Sequence, residues 1–211
     1  MSSLKSRIVK LISEGGLRIS GNKWNQSYDL HIIAVFHLGI RSSRFQNIIE
    51  CHWLPPDPDF TMFCCDGSSL GNPGAAGFGV VVRNHHCQVL GTITGGIGIA
   101  SNYIAEVYAV ISALELAIEW DKQNALIVSD SKTVANDFAQ GKVPWFIRSR
   151  WKNAVKKLSQ IRYKHCYREV NFPADGIAKK GALLAPGERQ ICIGRPSHLV
   201  RVEIPDFPLF F

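Results

Sequence analysis

The chain has 211 residues, 46% of them hydrophobic and 19% charged, which excludes a disordered or fibrous protein and allows one well-buried domain. Its formal net charge of +7 suits a polyanionic partner, although charge alone does not identify nucleic acid. Its six cysteines have no C-x-x-C spacing, so we predict reduced thiols in an intracellular protein.

The first part of the chain is predicted to be an extension outside the main domain. Residues 1–16 are basic and amphipathic, so this segment is interpreted either as a surface helix or as a transit peptide. The apolar stretch 30–40 is too short to span a bilayer, and we predict no membrane partner. The proline-rich segment 51–60 cannot be helical. We therefore assign 1–58 to an N-terminal extension and linker, and we expect a nuclear or cytosolic location, with organelle targeting left open.

Three strands are predicted after this linker. The segment 60–67 contains a predicted buried strand that ends at Asp66. Two more strands are predicted at 76–84 and 87–96, and a polar turn joins them. Because the connections are short, the three strands are expected to form an antiparallel meander. The adjacent Cys64 and Cys65 should point to opposite faces of the first strand.

Residues 101–120 are the strongest predicted helix, with Ser101 or Asn102 as its cap. The later predicted elements are a strand at 125–130, helices at 131–142 and 145–161, a strand at 162–170 and a helix from 173. This order predicts an α/β fold with a five-stranded mixed sheet flanked by helices. The domain is predicted over 59–185, and 186–211 is assigned to a C-terminal tail.

Four acids occupy similar places in this predicted layout. Asp66 and Asp130 end strands, whereas Glu106 and Asp175 lie near the starts of helices. Strand ends and helix starts gather at one rim of such a sheet, where carboxylates could bind two divalent cations and act on a phosphodiester. Each acid alone is also explained as a turn former or a helix N-terminal residue, so that alternative stays open.

The glycine-rich segment 67–74 does not predict a nucleotide-phosphate loop. It lacks the lysine of a Walker loop, and a β-branched strand follows it instead of a helix. A dinucleotide-binding fold is disfavoured for the same reason. The segment is therefore either a hairpin without a ligand or a turn beside a carboxylate site.

Four stretches together, 66–84, 101–117, 129–134 and 165–181, resemble the ribonuclease H family, particularly plant ribonuclease H-like domains related to retrotransposon reverse transcriptases. The resemblance implies sequence-tolerant endonucleolytic hydrolysis of the RNA strand of RNA–DNA hybrids. It implies that two Mg²⁺ ions, or Mn²⁺ in their place, are held by four catalytic acids, which are Asp66, Glu106, Asp130 and Asp175.

The resemblance also implies a nucleic-acid-binding surface that reads sugar hydroxyls and backbone geometry. Helix capping is the competing role for Asn102 and Ser131, and bracing of a loop is the competing role for Arg168. The predicted binding residues are Gly67, Ser68, Ser69, Asn72, Asn102, Ser131, Arg168 and Asn171. The glycines at 67, 71, 74, 77 and 79 are expected to let the chain approach the RNA strand closely.

Several alternatives remain open at this stage. His165 is either a catalytic residue or a packed strand residue, and the basic helix at 145–161 either contacts the DNA strand or is a solvated face. A domesticated, non-catalytic nucleic-acid-binding domain is the main alternative function. A third hypothesis keeps the fold but takes double-stranded RNA or branched DNA as substrate.

Overall fold

The structure, a computed structural model, describes residues 2–18, 31, 34–36, 50–199 and 208–210. The chain divides into two compact units, Met1–Ile48 and Ile49–Phe211. In the first unit Ser2–Arg18 forms helix α1. None of the helices in the described parts is both long and apolar enough to cross a bilayer. Much of the predicted extension and part of the predicted tail lie outside the described residues, and the boundaries at 58 and 185 stay predictions.

The predicted antiparallel meander is present in the second unit. After the short strand β1 (Glu50–His52) come β2 (Thr61–Leu70), β3 (Gly74–Arg83) and β4 (Val89–Ala100). Strand β3 pairs antiparallel with both β2 and β4. Strand β2 continues past Asp66, where we predicted its end, because Ser68 and Ser69 keep the ladder with β3 as far as Leu70.

The main sheet contains six strands among the described residues, which corrects the predicted five. Strands β5 (Asn124–Ser129) and β6 (Gln160–His165) extend it in parallel beyond β2, and β7 (Arg189–Ile193) pairs antiparallel with β4. The order is β6-β5-β2-β3-β4-β7. Every residue of β7 is exposed, so the sequence carries no buried apolar pattern to mark this edge strand. A separate ladder joins β1 to β8 (Pro208–Phe210).

Four α-helices accompany this sheet in the described part of the second unit: α2 (Asn102–Glu119), α3 (Lys132–Ala139), α4 (Arg148–Lys157) and α5 (Phe172–Gly181). Ser101 caps α2, since its hydroxyl accepts a hydrogen bond from the Ile104 N–H at 3.4 Å. Ser131 caps α3 in the same way through Val134. Both caps follow the preference for a serine oxygen at an exposed helix N-terminus.

The sheet separates two hydrophobic clusters. Phe63 and Cys65 of β2 belong to the cluster that contains Ile111 of α2, whereas Cys64 belongs to the cluster that contains Ile177 of α5. Side chains alternate along a strand, so the adjacent cysteines face opposite sides, as predicted. The helices α2 and α5 therefore cover different faces of β2.

The proline-rich connector packs against the domain that follows it. Trp53 is 6% exposed, and the Arg83 guanidinium lies 5.3 Å from the centroid of its ring. Further along the connector, the Arg162 guanidinium lies 4.0 Å from the ring centroid of Phe60. Both geometries are typical of cation–π contacts, which hold this segment to the strands.

Two glycines allow helices to lie directly on the sheet. A Cβ at Gly67 would overlap the backbone of Ala105 and Glu106 in α2, and one at Gly79 would overlap the backbone of Ala178 in α5. We predicted that these glycines approach an RNA strand. At these two positions glycine is needed because a helix of the same chain lies close to the strand, and the predicted nucleic-acid contact of Gly67 stays a prediction.

Candidate active site

Three acidic side chains meet near the end of β5, where this strand lies beside β2 in the sheet. One carboxylate oxygen from each of Asp66, Glu106 and Asp130 lies within 4.8 Å of the other two. Cys65 and Ser129 are paired in the parallel β2–β5 ladder, so Asp66 and Asp130, which follow them, lie next to each other where β5 ends. The close contact of α2 with β2 then places Glu106 beside both aspartates.

The cluster is buried and its oxygens are incompletely satisfied. Asp66 is 3% exposed and Glu106 is 5% exposed. Asp66 and Asp130 share a hydrogen bond, and the Gly67 N–H donates one to Glu106. Glu106 Oε2 and Asp130 Oδ1 are buried and have no hydrogen-bond partner among the described residues. Such oxygens are costly to bury, and a hard divalent cation is the type of ligand that satisfies them.

Burial and mutual repulsion raise the pKa values of these acids. The pKa of Asp66 rises to about 10, first because of its burial and then because of the nearby charges of Glu106 and Asp130. The pKa of Glu106 rises to about 8 for the same reasons, again with burial first. Burial likewise raises the pKa of Asp130, against a hydrogen bond from Asp66 that lowers it. The three groups can all be ionised at neutral pH only if positive charge is brought to them.

Asp175 lies in the same cavity but in a different environment. Arg168 donates to its Oδ1 at 2.8 Å, and Lys179 donates to its Oδ2 at 2.6 Å. Burial raises the pKa of Asp175, but the hydrogen bonds from Lys179 and Arg168 outweigh it, so the pKa lies below its usual value. Asp175 is not part of the group of three carboxylates that meet within 4.8 Å.

An open cavity of about 710 Å³ surrounds the acids. Polar side chains from several elements form its walls, which include the predicted residues Ser68, Ser69, Asn102, Ser131 and Arg168. The Ser69 hydroxyl donates to the Ala100 carbonyl at 2.8 Å. The Asn102 side chain is exposed and is not needed as a cap, because Ser101 has that role.

Two predicted nucleic-acid-binding residues do not line this cavity. Asn171 is 1% exposed, and its amide donates to the Cys65 carbonyl at 2.8 Å, which ties the start of α5 to β2. The Asn72 side chain accepts a hydrogen bond from the Asn102 N–H at 2.9 Å. Asn171 therefore has an internal structural role, whereas Asn72 is exposed and its predicted nucleic-acid contact stays a prediction.

His165 is the last residue of β6, is exposed and lines the cavity. Its ring centroid lies 5.8 Å from that of Tyr167, in an edge-on arrangement. These contacts leave both predicted alternatives for His165 open.

The sequence analysis missed Lys179 and Tyr167, which also line the cavity. Lys179 could have been found from its spacing, since residues four apart on a helix are neighbours and Asp175 is four residues before it. Tyr167 lies in an irregular connection and has no comparable signal.

The sequence profile of the family described as "Reverse transcriptase-like" matches residues 64–181. The chain therefore belongs to this family, whose profile covers the three clustered acids and Asp175.

Named relatives are ribonucleases H. The chain is 35% identical over 99 residues to the ribonuclease H of Nitratidesulfovibrio vulgaris, a match that covers 47% of this chain and 60% of the relative. The N-terminal RNase H domain of Rv2228c from Mycobacterium tuberculosis has a similar structure, with a TM-score of 0.55 and 29% identity over 58% of this chain and 93% of that one. LC11-RNase H1, solved in complex with an RNA/DNA hybrid, is also similar, with a TM-score of 0.51 and 27% sequence identity. That match covers 58% of this chain and 96% of LC11-RNase H1.

These similarities establish a ribonuclease H fold. The chain spans 41% of the length of Rv2228c and 60% of that of the N. vulgaris enzyme. The relatives named here are bacterial, so kinship with plant and retrotransposon-related domains stays a prediction.

Proposed function

We propose that this protein hydrolyses the RNA strand of RNA–DNA hybrids in a reaction that depends on divalent cations, with Mg²⁺ as the physiological ion. The observation that carries the proposal is the meeting of Asp66, Glu106 and Asp130 within 4.8 Å in an open polar cavity. The chain's membership of a family with ribonuclease H relatives supports the same reaction.

The residues of the cluster fit a divalent cation. Two of the buried carboxylate oxygens, Glu106 Oε2 and Asp130 Oδ1, have no hydrogen-bond partner in the described part of the chain. Burial and mutual repulsion raise the pKa values of Asp66 and Glu106 although Arg168 lies nearby, so the protein's own cations do not balance the charge of the three carboxylates. Bound Mg²⁺ would supply that charge, lower the pKa of a water molecule and stabilise the departing 3′-oxygen. Two ions, with Asp175 as a further ligand, are part of this proposal.

The cavity walls suit a substrate with sugar hydroxyls and phosphates. Ser68 and Asn102 offer uncharged donors and acceptors beside the acids, and Arg168 and Lys179 offer positive charge. Such groups can read an A-like duplex and its 2′-hydroxyls without reading base order, so we expect sequence-tolerant cleavage. The predicted products carry 5′-phosphate and 3′-hydroxyl ends.

The direct test is cleavage of a hybrid with a labelled RNA strand in Mg²⁺. The wild type is compared with Asp66→Asn and Asp130→Asn, which keep side-chain size but remove the charge. We expect both variants to lose at least about 100-fold in rate, because each removes a charge that the cations need. Equal cleavage by all three proteins would disprove the proposal, and Asp59→Asn, at an exposed position, is the matched control.

The same assay separates the two alternative functions. Binding of the hybrid in EDTA, with no cleavage in Mg²⁺ or Mn²⁺, would support a non-catalytic binding domain. The engaged carboxylate of Asp175 is the observation that favours this alternative. Preferential cleavage of double-stranded RNA or of a branched DNA junction would identify a different substrate on the same fold.

A further inference from the structure

Asp175 differs from the three clustered acids in how its oxygens are satisfied. Arg168 engages one oxygen and Lys179 engages the other, at 2.8 and 2.6 Å. The Asp175 side chain is 17% exposed, whereas those of Arg168 and Lys179 are 68% and 55% exposed. We call these two contacts the Asp175 clamp.

The clamp creates a competition that the other acids do not have. A cation that approaches Glu106 or Asp130 meets buried oxygens without a hydrogen-bond partner among the described residues. A cation that approaches Asp175 meets two oxygens that each already accept a hydrogen bond from a positively charged donor, so it competes with Arg168 and Lys179 for them.

The two cations of the clamp face the cavity in which the substrate is expected. Arg168 lies in a turn before α5, and Lys179 lies on α5 itself, and both line the cavity with Asp175. Guanidinium and ammonium groups bind phosphate oxygens with short charge-assisted hydrogen bonds. A nucleic-acid phosphate in the cavity therefore competes with Asp175 for the same donors.

We propose that Lys179, together with Arg168, is a positioning residue that withholds Asp175 from divalent cations until a nucleic-acid phosphate takes over its donors. This inference rests on the proposed function. Binding of the phosphate and binding of a cation at Asp175 then favour each other, and the coupling is reciprocal. An ordinary surface ion pair would produce no such coupling.

The proposal predicts that Lys179→Gln binds Mg²⁺ more tightly than the wild type does but makes fewer ionic contacts with the hybrid. Lys179→Gln removes a donor from Asp175, so the apparent Kd for Mg²⁺ of the hybrid-free protein should fall about fivefold, the upper range for a partly exposed ion pair. The same variant loses one phosphate contact. In EDTA, the slope of log affinity for a fluorescent RNA–DNA hybrid against log salt should therefore become less steep by about one unit.

Titration calorimetry with Mg²⁺ alone and fluorescence anisotropy in EDTA measure these two quantities without any turnover. Lys180→Gln is the matched control, since Lys180 is the next residue, carries the same charge and lines a different cavity with Thr94 and His198. It should leave the Mg²⁺ affinity within about twofold of the wild type. Lys179→Arg keeps the charge and should retain the wild-type value of both quantities.

Both changes in Lys179→Gln, and neither in Lys180→Gln, would support the clamp. Unchanged or weaker Mg²⁺ binding by Lys179→Gln, or an unchanged salt slope, would overturn it. If the wild type cleaves the hybrid and Lys179→Gln binds Mg²⁺ with the wild-type affinity, the clamp is overturned but the proposed function is not. A wild type that binds neither Mg²⁺ nor the hybrid would overturn the proposed function as well.

Discussion

Replacement of Asp66 by asparagine should stabilise the metal-free protein, although it should abolish activity. Asp66 is 3% exposed beside Glu106 and Asp130, and its pKa is raised to about 10 from a usual value of 3.8. The folded chain therefore binds more protons than the unfolded chain between these two pH values. Stability contributed by this group is fully present below about pH 4 and is lost as the pH rises towards 10.

The expected change in the free energy of unfolding is set by the difference between the working pH and the usual pKa of an aspartate. At pH 7 the unfolded chain ionises Asp66, whereas the folded chain keeps it protonated, which costs folding about 4 kcal/mol. Asparagine has nearly the same shape and does not titrate. We therefore expect Asp66→Asn to exceed the wild type in free energy of unfolding by about 2–4 kcal/mol at pH 7, with little difference near pH 4.

Urea unfolding in EDTA at pH 5, 7 and 9 measures this difference. Comparison of the two proteins at each pH cancels the titration of groups that do not interact with Asp66, and Asp59→Asn serves as the exposed control. Addition of Mg²⁺ should then stabilise the wild type but not Asp66→Asn, because only the wild type keeps the full ligand set. A variant that is less stable than the wild type at pH 7, or a difference that does not change with pH, would refute the reasoning.

Three further predictions concern contacts that support the site, and each is checked by urea unfolding. Gly67→Ala should lose about 3 kcal/mol, because the added methyl group overlaps the backbone of α2. Trp53→Ala should lose about 3–5 kcal/mol, because it leaves a cavity and removes the ring beside Arg83. Asn171→Ala should lose about 1–3 kcal/mol, since it removes the buried hydrogen bond to the Cys65 carbonyl.

Gly176→Ala is the control for the first of these predictions, since a Cβ at Gly176 meets no atom within 4 Å. Alanine there should leave the stability unchanged or raise it slightly, because it suits a helix better than glycine. Equal losses at Gly67 and Gly176 would contradict the packing argument. Trp53→Phe should recover most of the stability lost in Trp53→Ala, and no recovery would contradict the role assigned to the ring.

The convergence of three acids could be predicted because it depends on chain order and local patterns. Strong apolar periodicity marks β2, β5 and α2, and Asp66 and Asp130 are neighbours because they follow the paired residues Cys65 and Ser129. The caps of α2 and α3 likewise depend on neighbouring residues alone. The folded structure keeps these locally predicted features because its tertiary contacts favour the same conformations.

The features that could not be predicted depend on contacts between distant parts of the chain. The edge strand β7 has no buried face, so its pairing with β4 leaves no pattern in the sequence. The close packing of Gly67 against a helix that begins 35 positions later in the chain likewise has no local signal in the sequence. Asn171 was predicted to contact nucleic acid from the family resemblance, but its amide satisfies a buried carbonyl of β2, a contact between residues 106 positions apart.

The most direct test of the central claim is the position of Mn²⁺ in crystals grown with an RNA–DNA hybrid, located by anomalous scattering. We predict an ion in contact with carboxylate oxygens of Asp66, Glu106 and Asp130, and loss of that ion in crystals of Asp66→Asn. An Mn²⁺ ion bound elsewhere on the protein, with none at these three acids while the wild type still cleaves the hybrid, would contradict the account.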